Sequence, residues 1–141
     1  MKKVVIVASS KLHNEIKNWI THFKNKGYTV LNYPKQIDEE NFIDIYPDVY
    51  KSFFEDIVQT DMLFVMNEDK NGVEGYIGAE AFAELSFGLV QKLVYGKDIE
   101  VVLLKMPSCE VQCYDEIKLW LDLGKIKLHS DKKDNDFIKV D

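Results

Sequence analysis

Glu80 and Glu84 stand four residues apart in the stretch YIGAEAFAELSFG, residues 76–88. On a helix that spacing makes them neighbours on one face, with Cβ atoms roughly 5–6 Å apart. An ionised carboxylate in mostly apolar surroundings can serve as a nucleophile toward a sugar carbon. Glu84 would fall in the second turn of such a helix, where the helix dipole modestly favours the ionised form. A second acidic pair, Glu68 and Asp69, lies upstream in NEDKNG. Gly72, Gly75 and Gly78 come between the two pairs. Backbone amides around Gly75, Tyr76 and Gly78, with a helix behind them, make a natural site for an anion or a hydroxyl. Spacing alone does not choose between Glu80 and Glu84, and a solvated strip on an outer helix accounts for the pair equally well.

Chemistry of this kind needs elements to hold it. Residues 3–8, KVVIVA, are a continuous apolar run, the mark of a buried parallel strand. Leu12, Ile16, Trp19, Ile20 and Phe23 then recur at helical spacing, and Gly27 closes the segment. Residues 28–33 predict a second strand and 35–46 a long acidic loop, a candidate lid. Pro47 fits the first turn of a second helix, whose buried stripe is Tyr50, Phe53, Phe54, Ile57 and Val58. A third strand is expected at 61–66, an almost wholly apolar helix at 78–95, and a fourth strand at 99–104. A short helix at 115–123 and a short strand at 125–128 complete the pattern, and 130–141 reads as a loosely held polar tail.

The alternation βαβαβαβαβ predicts one α/β domain over residues 1–141. Its form is a doubly wound, flavodoxin-like parallel sheet of about five strands with helices on both faces. Ligands of such folds sit at the carboxyl ends of the strands. That rule selects Ser9 and Ser10 after strand one and residues 67–78 after strand three, which include both the acidic loop pair and the glycines.

Composition narrows the function. The net charge is −6 and no basic block occurs, which argues against nucleic acid as a partner. Every Lys+Arg position is lysine. Without the arginine fork a phosphorylated ligand would have to be held by a lysine or a helix N-terminus, which weighs against a phosphate requirement. Cys109 and Cys113, with His13, His22 and His129 scattered, do not make a four-ligand zinc site; they read as free thiols of a cytoplasmic protein. No stretch reaches membrane-spanning length. Neither a P-loop nor G-x-G-x-x-G is present, and the loop after strand one lacks the glycines of an FMN phosphate loop, so no cofactor and no metal are expected.

The run DMLFVMNEDKNGVEGYIGAEAFAELSFG, followed by YGKDIEVVLL and KMPSCEVQCYDEIKLW, resembles the nucleoside 2-deoxyribosyltransferase family. The likeness is with its small members and covers residues 60–120 best. It implies a glycosidic enzyme in which Glu84 attacks C1′ of a deoxyribonucleoside and releases the base. A second base or water then collects the sugar, as in a retaining glycosidase. It further implies Glu68 or Asp69 as the acid that protonates the leaving base, Asn67 as a base-binding side chain, and Gly78 as the point where backbone approaches the sugar. The family's tyrosine near the end of strand one is replaced here by Ile6-Val7-Ala8-Ser9, and Tyr76 is the candidate substitute. Glu80 is the candidate for the family's aspartate that meets the sugar hydroxyl. The alternative is a non-catalytic nucleoside- or nucleotide-binding protein on the same scaffold. The partner is in either case a small nucleoside or nucleotide. The breadth of the apolar surface on the 78–95 helix also predicts a homo-oligomer, a dimer or higher.

Overall fold

The computed structural model describes residues 1–129. The expected tail at 130–141 lies outside them. The strands are β1 (Lys3–Val7), β2 (Thr29–Asn32), β3 (Met62–Val65), β4 (Glu100–Leu103) and β5 (Lys127–Leu128). All pair in parallel, in the order β2-β1-β3-β4-β5. The helices are α1 (His13–Asn25), α2 (Phe42–Gln59), α3 (Ala79–Leu93) and α4 (Tyr114–Asp122), with a 3₁₀ turn at Glu39–Asn41. This is the flavodoxin-like, doubly wound arrangement that the alternation of elements predicts.

Side-chain alternation along the strands divides the core into two layers. Val4, Ile6, Phe64 and Val102 point to one face and pack on Ile16 and Phe23 of α1. Val5, Val7, Leu63, Val65, Val101 and Leu103 point to the other, against Phe53 and Ile57 of α2, Leu85 and Leu89 of α3, and Ile117 of α4. The central strands are buried on both sides, which is why they read as unbroken apolar runs. At Gly88 the helix α3 comes so close to β3 that a Cβ would lie 2.6 Å from Leu63 Cδ2. The missing side chain sets the depth at which α3 sits on the sheet.

The second helix departs from expectation. It begins at Phe42, inside the segment expected to be loop, and Pro47 lies within it as its sixth residue. Proline there removes one helical hydrogen bond, to the carbonyl of Ile43, and disfavours helical backbone at Tyr46. An aromatic ladder offsets the cost. Phe42 stacks on Tyr46 with ring centres 4.8 Å apart, Tyr46 meets Tyr50 at 5.6 Å, and Tyr50 meets Phe54 at 4.7 Å. Each step is one turn of helix, so the rings hold together the stretch that the proline weakens.

Candidate active site

A cavity of about 700 Å³ opens at the carboxyl ends of β1 and β3. Its floor is Val7–Ser10 and Val65–Asn67, and one wall is Gly78–Ala81 with Glu84. Residues 34–39 and the first two turns of α2, with Phe42, Tyr46 and Tyr50, cover it. This is the position that the strand order requires: β1 and β3 are neighbours, and their outgoing loops diverge to opposite faces of the sheet.

Glu84 is the site's most perturbed carboxyl. It is buried, at 6% exposure, and no other described residue hydrogen-bonds to its side chain. Burial, with the neighbouring Glu80 carboxylate as the lesser cause, pushes its pKa up to about 8. Desolvation therefore outweighs the modest dipole effect that favours an ionised Glu84. Glu80 sits at the mouth of the cavity and is exposed. Its Oε2 accepts a hydrogen bond of 3.1 Å from the Tyr46 hydroxyl. Burial and then this bond push the Tyr46 phenol up to about 12, with Glu84 contributing from further off. Tyr46 is thus neutral and fixed as a donor between α2 and the acidic pair of α3.

Ser9 and Ser10 line the cavity as expected. Ser9 Oγ accepts a bond of 3.0 Å from Lys70 Nζ. Tyr76 also lines it, with its ring 4.7 Å from Lys70 Nζ and packed against Gly78, where a Cβ would come within 3.1 Å of the phenol oxygen. Lys70 and Gly78, and not Glu84, are thus the neighbours found for Tyr76.

Asn67 reaches the cavity floor, but its amide is already committed. Nδ2 donates to the carbonyls of Gly75 (3.2 Å) and Lys105 (2.8 Å), and Oδ1 accepts from the Lys105 N–H (3.2 Å). Gly75 adopts φ 62°, and a Cβ there would stand 2.8 Å from Pro107 Cα. Only glycine lets the loop approach the β4–α4 connection so closely. Gly75 and Lys105 hold Asn67 in place beneath the cavity, and both of the amide's N–H donors are used in doing so.

The loop pair Glu68 and Asp69 is not brought to the cavity. Glu68 Oε2 accepts from the Trp19 indole at 3.2 Å, on the α1 side of the sheet. Asp69 Oδ1 accepts from the Gly75 N–H at 3.0 Å and from Lys105 Nζ at 2.9 Å. These two donors hold the Asp69 carboxyl below the usual carboxylate range, the reverse of what a proton donor needs. Neither residue forms part of the cavity wall. Asp69 acts here as a loop clasp.

The residues that sequence reasoning missed are Tyr46 and Lys70. Tyr46 was hidden by Pro47, which moved the expected helix start past it. Its signal was the four-residue spacing Phe42, Tyr46, Tyr50, Phe54. Among the described residues no cluster of three His, Cys, Asp or Glu is placed to hold a metal ion, and no helix is long and apolar enough to cross a membrane. Cys109 is an exposed free thiol and Cys113 a buried one. No family model matches the sequence, and no curated protein matches it.

Proposed function

We propose that the chain is an N-glycosidic bond enzyme that transfers or hydrolyses the deoxyribosyl group of a nucleoside or nucleotide, with Glu84 as nucleophile. The observation that carries this reading is the buried Glu84 carboxyl, without a hydrogen-bonding side-chain or backbone partner among the described residues, in the wall of the cavity at the sheet's carboxyl edge. The position agrees with the resemblance to nucleoside 2-deoxyribosyltransferases. Apolar and aromatic surfaces of Phe42, Tyr50 and Phe53 in the same cavity suit a flat base.

In this mechanism the Glu84 carboxylate attacks C1′ and the C1′–N bond breaks. The base takes its proton from solvent, since Glu68 and Asp69 do not line the cavity, and a glycosyl-enzyme ester remains for a second base or water to open. Positive charge builds on the sugar in the transition state, and it favours the ionised form of Glu84 that burial opposes. Tyr46 holds Glu80 by its hydroxyl, and Glu80 at the cavity mouth is the acceptor for a sugar hydroxyl. The Tyr46 phenol supplies the tyrosine next to the acidic pair that the end of β1 lacks.

The second reading is a nucleoside- or nucleotide-binding protein without turnover. It is favoured by the raised pKa of Glu84, because a carboxyl that keeps its proton at neutral pH suits hydrogen-bond donation better than attack. Incubation with a panel of deoxynucleosides and deoxynucleotides, with and without a free acceptor base, separates the two. Base release that Glu84→Gln reduces roughly a thousandfold or more supports the enzyme. Ligand binding with no release by the wild type supports the binding protein. Release at the wild-type rate by Glu84→Gln removes Glu84 as nucleophile.

A further inference from the structure

The cavity has a cationic corner that the proposed chemistry does not use. Lys70 is half-buried in the cavity wall, and its ammonium meets the Ser9 hydroxyl and the face of the Tyr76 ring. It has no carboxylate partner among the described residues, although two acids immediately precede it. Glu68 is turned to Trp19, and Asp69 to Gly75 and Lys105. Elsewhere on the described surface Lys2, Lys105, Lys118 and Lys127 each pair with a carboxylate. An ammonium partly withdrawn from water without a counter-ion is costly, and one that faces a cavity gains most from an anion placed there.

The unused hydrogen-bonding capacity agrees. An ammonium carries three donors, and Ser9 takes one of them. The Ser9 oxygen accepts from Lys70 and, more weakly at 3.4 Å, from the Lys11 N–H, so its own O–H remains to donate. The ammonium, with the Tyr76 ring as its other neighbour, and the Ser9 hydroxyl thus keep donor capacity that no described acceptor uses, which suits the several acceptor oxygens of a phosphate. Lys11 and Lys35 line the same cavity and also lack a carboxylate partner among the described residues, while the acids of the lining, Asp38, Glu39, Glu80 and Glu84, belong to the covering segment and to α3. Glu84, by contrast, is carried by α3. A nucleotide is divided in the same way, with its phosphate at C5′ and its reactive carbon at C1′.

We propose that Lys70 and Ser9 bind the 5′-phosphate of a nucleotide, so that the substrate class is the nucleoside 5′-monophosphate. This rests on the reading of the cavity as a nucleoside or nucleotide site. It reverses the inference from the missing arginine: the phosphate is held by a lysine as a point charge and not by a fork.

The experiment is calorimetric titration of the full chain with the four deoxynucleoside 5′-monophosphates, the matching deoxynucleosides and inorganic phosphate. Wild type, Lys70→Met, Lys70→Arg and Ser9→Ala are compared after their melting curves show that they fold. At least one monophosphate is expected to bind about tenfold or more tightly than its nucleoside. Lys70→Met erases that ratio with the nucleoside affinity unchanged, Lys70→Arg keeps it, and Ser9→Ala reduces it. Equal binding of the paired ligands overturns the proposal. So does a preference that survives Lys70→Met, the absence of nucleotide binding, or binding of inorganic phosphate alone. Chromatography of the same mixtures tests the glycosidic reading separately. Phosphate-dependent binding without base release removes the enzyme and keeps the subsite. Base release at equal rates from nucleosides and monophosphates, with equal affinities, does the reverse.

Discussion

At Glu84 the fold holds more protons than the unfolded chain does between pH 4.5, the ordinary value, and about 8. Stability must then fall as pH rises through that window, at up to about 1.4 kcal/mol per pH unit. It is greatest below 4.5 as far as this group is concerned, and its contribution is gone above 8. Glu84→Gln, which carries no proton to lose, should flatten the fall and be the more stable protein at pH 9. Urea titrations from pH 5 to 9 check this, and parallel pH profiles for the two proteins would place the burial penalty elsewhere. Catalysis has the opposite sign. On the proposed mechanism Glu84 must be ionised to attack, so kcat/KM should rise with pH and level off above about 8. Asn67 makes a different prediction at the same scale. Removing its amide strands the Gly75 carbonyl and both backbone groups of Lys105, and Asn67→Ala should cost about 2–4 kcal/mol in the same titrations.

Among the elements, α2 and α3 do the positioning. Gly88 lets α3 lie close on β3, and Gly88→Ala forces Leu63 to move. The added methyl improves helix propensity by about 1 kcal/mol, but overpacking costs about 1–3 kcal/mol, so net destabilisation is expected. Leu63→Ala in the same chain should make the Gly88→Ala step neutral or favourable, and a double-mutant cycle by thermal melting measures it. The elements were also the scale at which sequence was most legible. Strands buried on both faces give unbroken Val, Ile and Leu runs, and α3 shows its length through its apolar content. α2 was half legible, because the rule that starts a helix near proline competes with an aromatic spacing that begins five residues earlier. Within the site, the strand-end rule pointed to Ser9, Ser10 and Gly78, which line the cavity, and the choice of Glu84 over Glu80 as the proposed nucleophile rests on the resemblance. What sequence could not give was direction: Glu68, Asp69 and Lys70 are consecutive, yet only the lysine joins the cavity. That choice depends on Trp19, Gly75 and Lys105, which are distant in sequence or fixed by a positive φ.

For the molecule as a whole, Val90 and Leu93 at the end of α3 and Val94 and Tyr95 just after it are all exposed, with Val94 at 68% and Tyr95 at 67%. Ile43 of α2 is exposed at 81%. These positions are the apolar surface that the expected homo-oligomer would bury. Sedimentation across the micromolar range should show a dimer or larger species, and Leu93→Glu with Val94→Glu should shift it to the monomer while the melting of the fold persists. Monomeric wild type over that range would remove the oligomer.

The two sides of the cavity are fastened very differently. The floor is tied by strand ladders and by the Asn67 amide, whereas the covering segment 34–46 holds on through stacked rings and the Tyr46–Glu80 bond. Amide hydrogens of β1 and β3 beneath the cavity should therefore exchange with solvent only on global unfolding, and those of 39–46 in far smaller openings. A bound molecule touching Phe42 and Tyr46 would slow exchange in that segment first. The proline one residue later carries no amide hydrogen, so the protected stretch would stop with a sharp edge at Tyr46 and resume at Asp48.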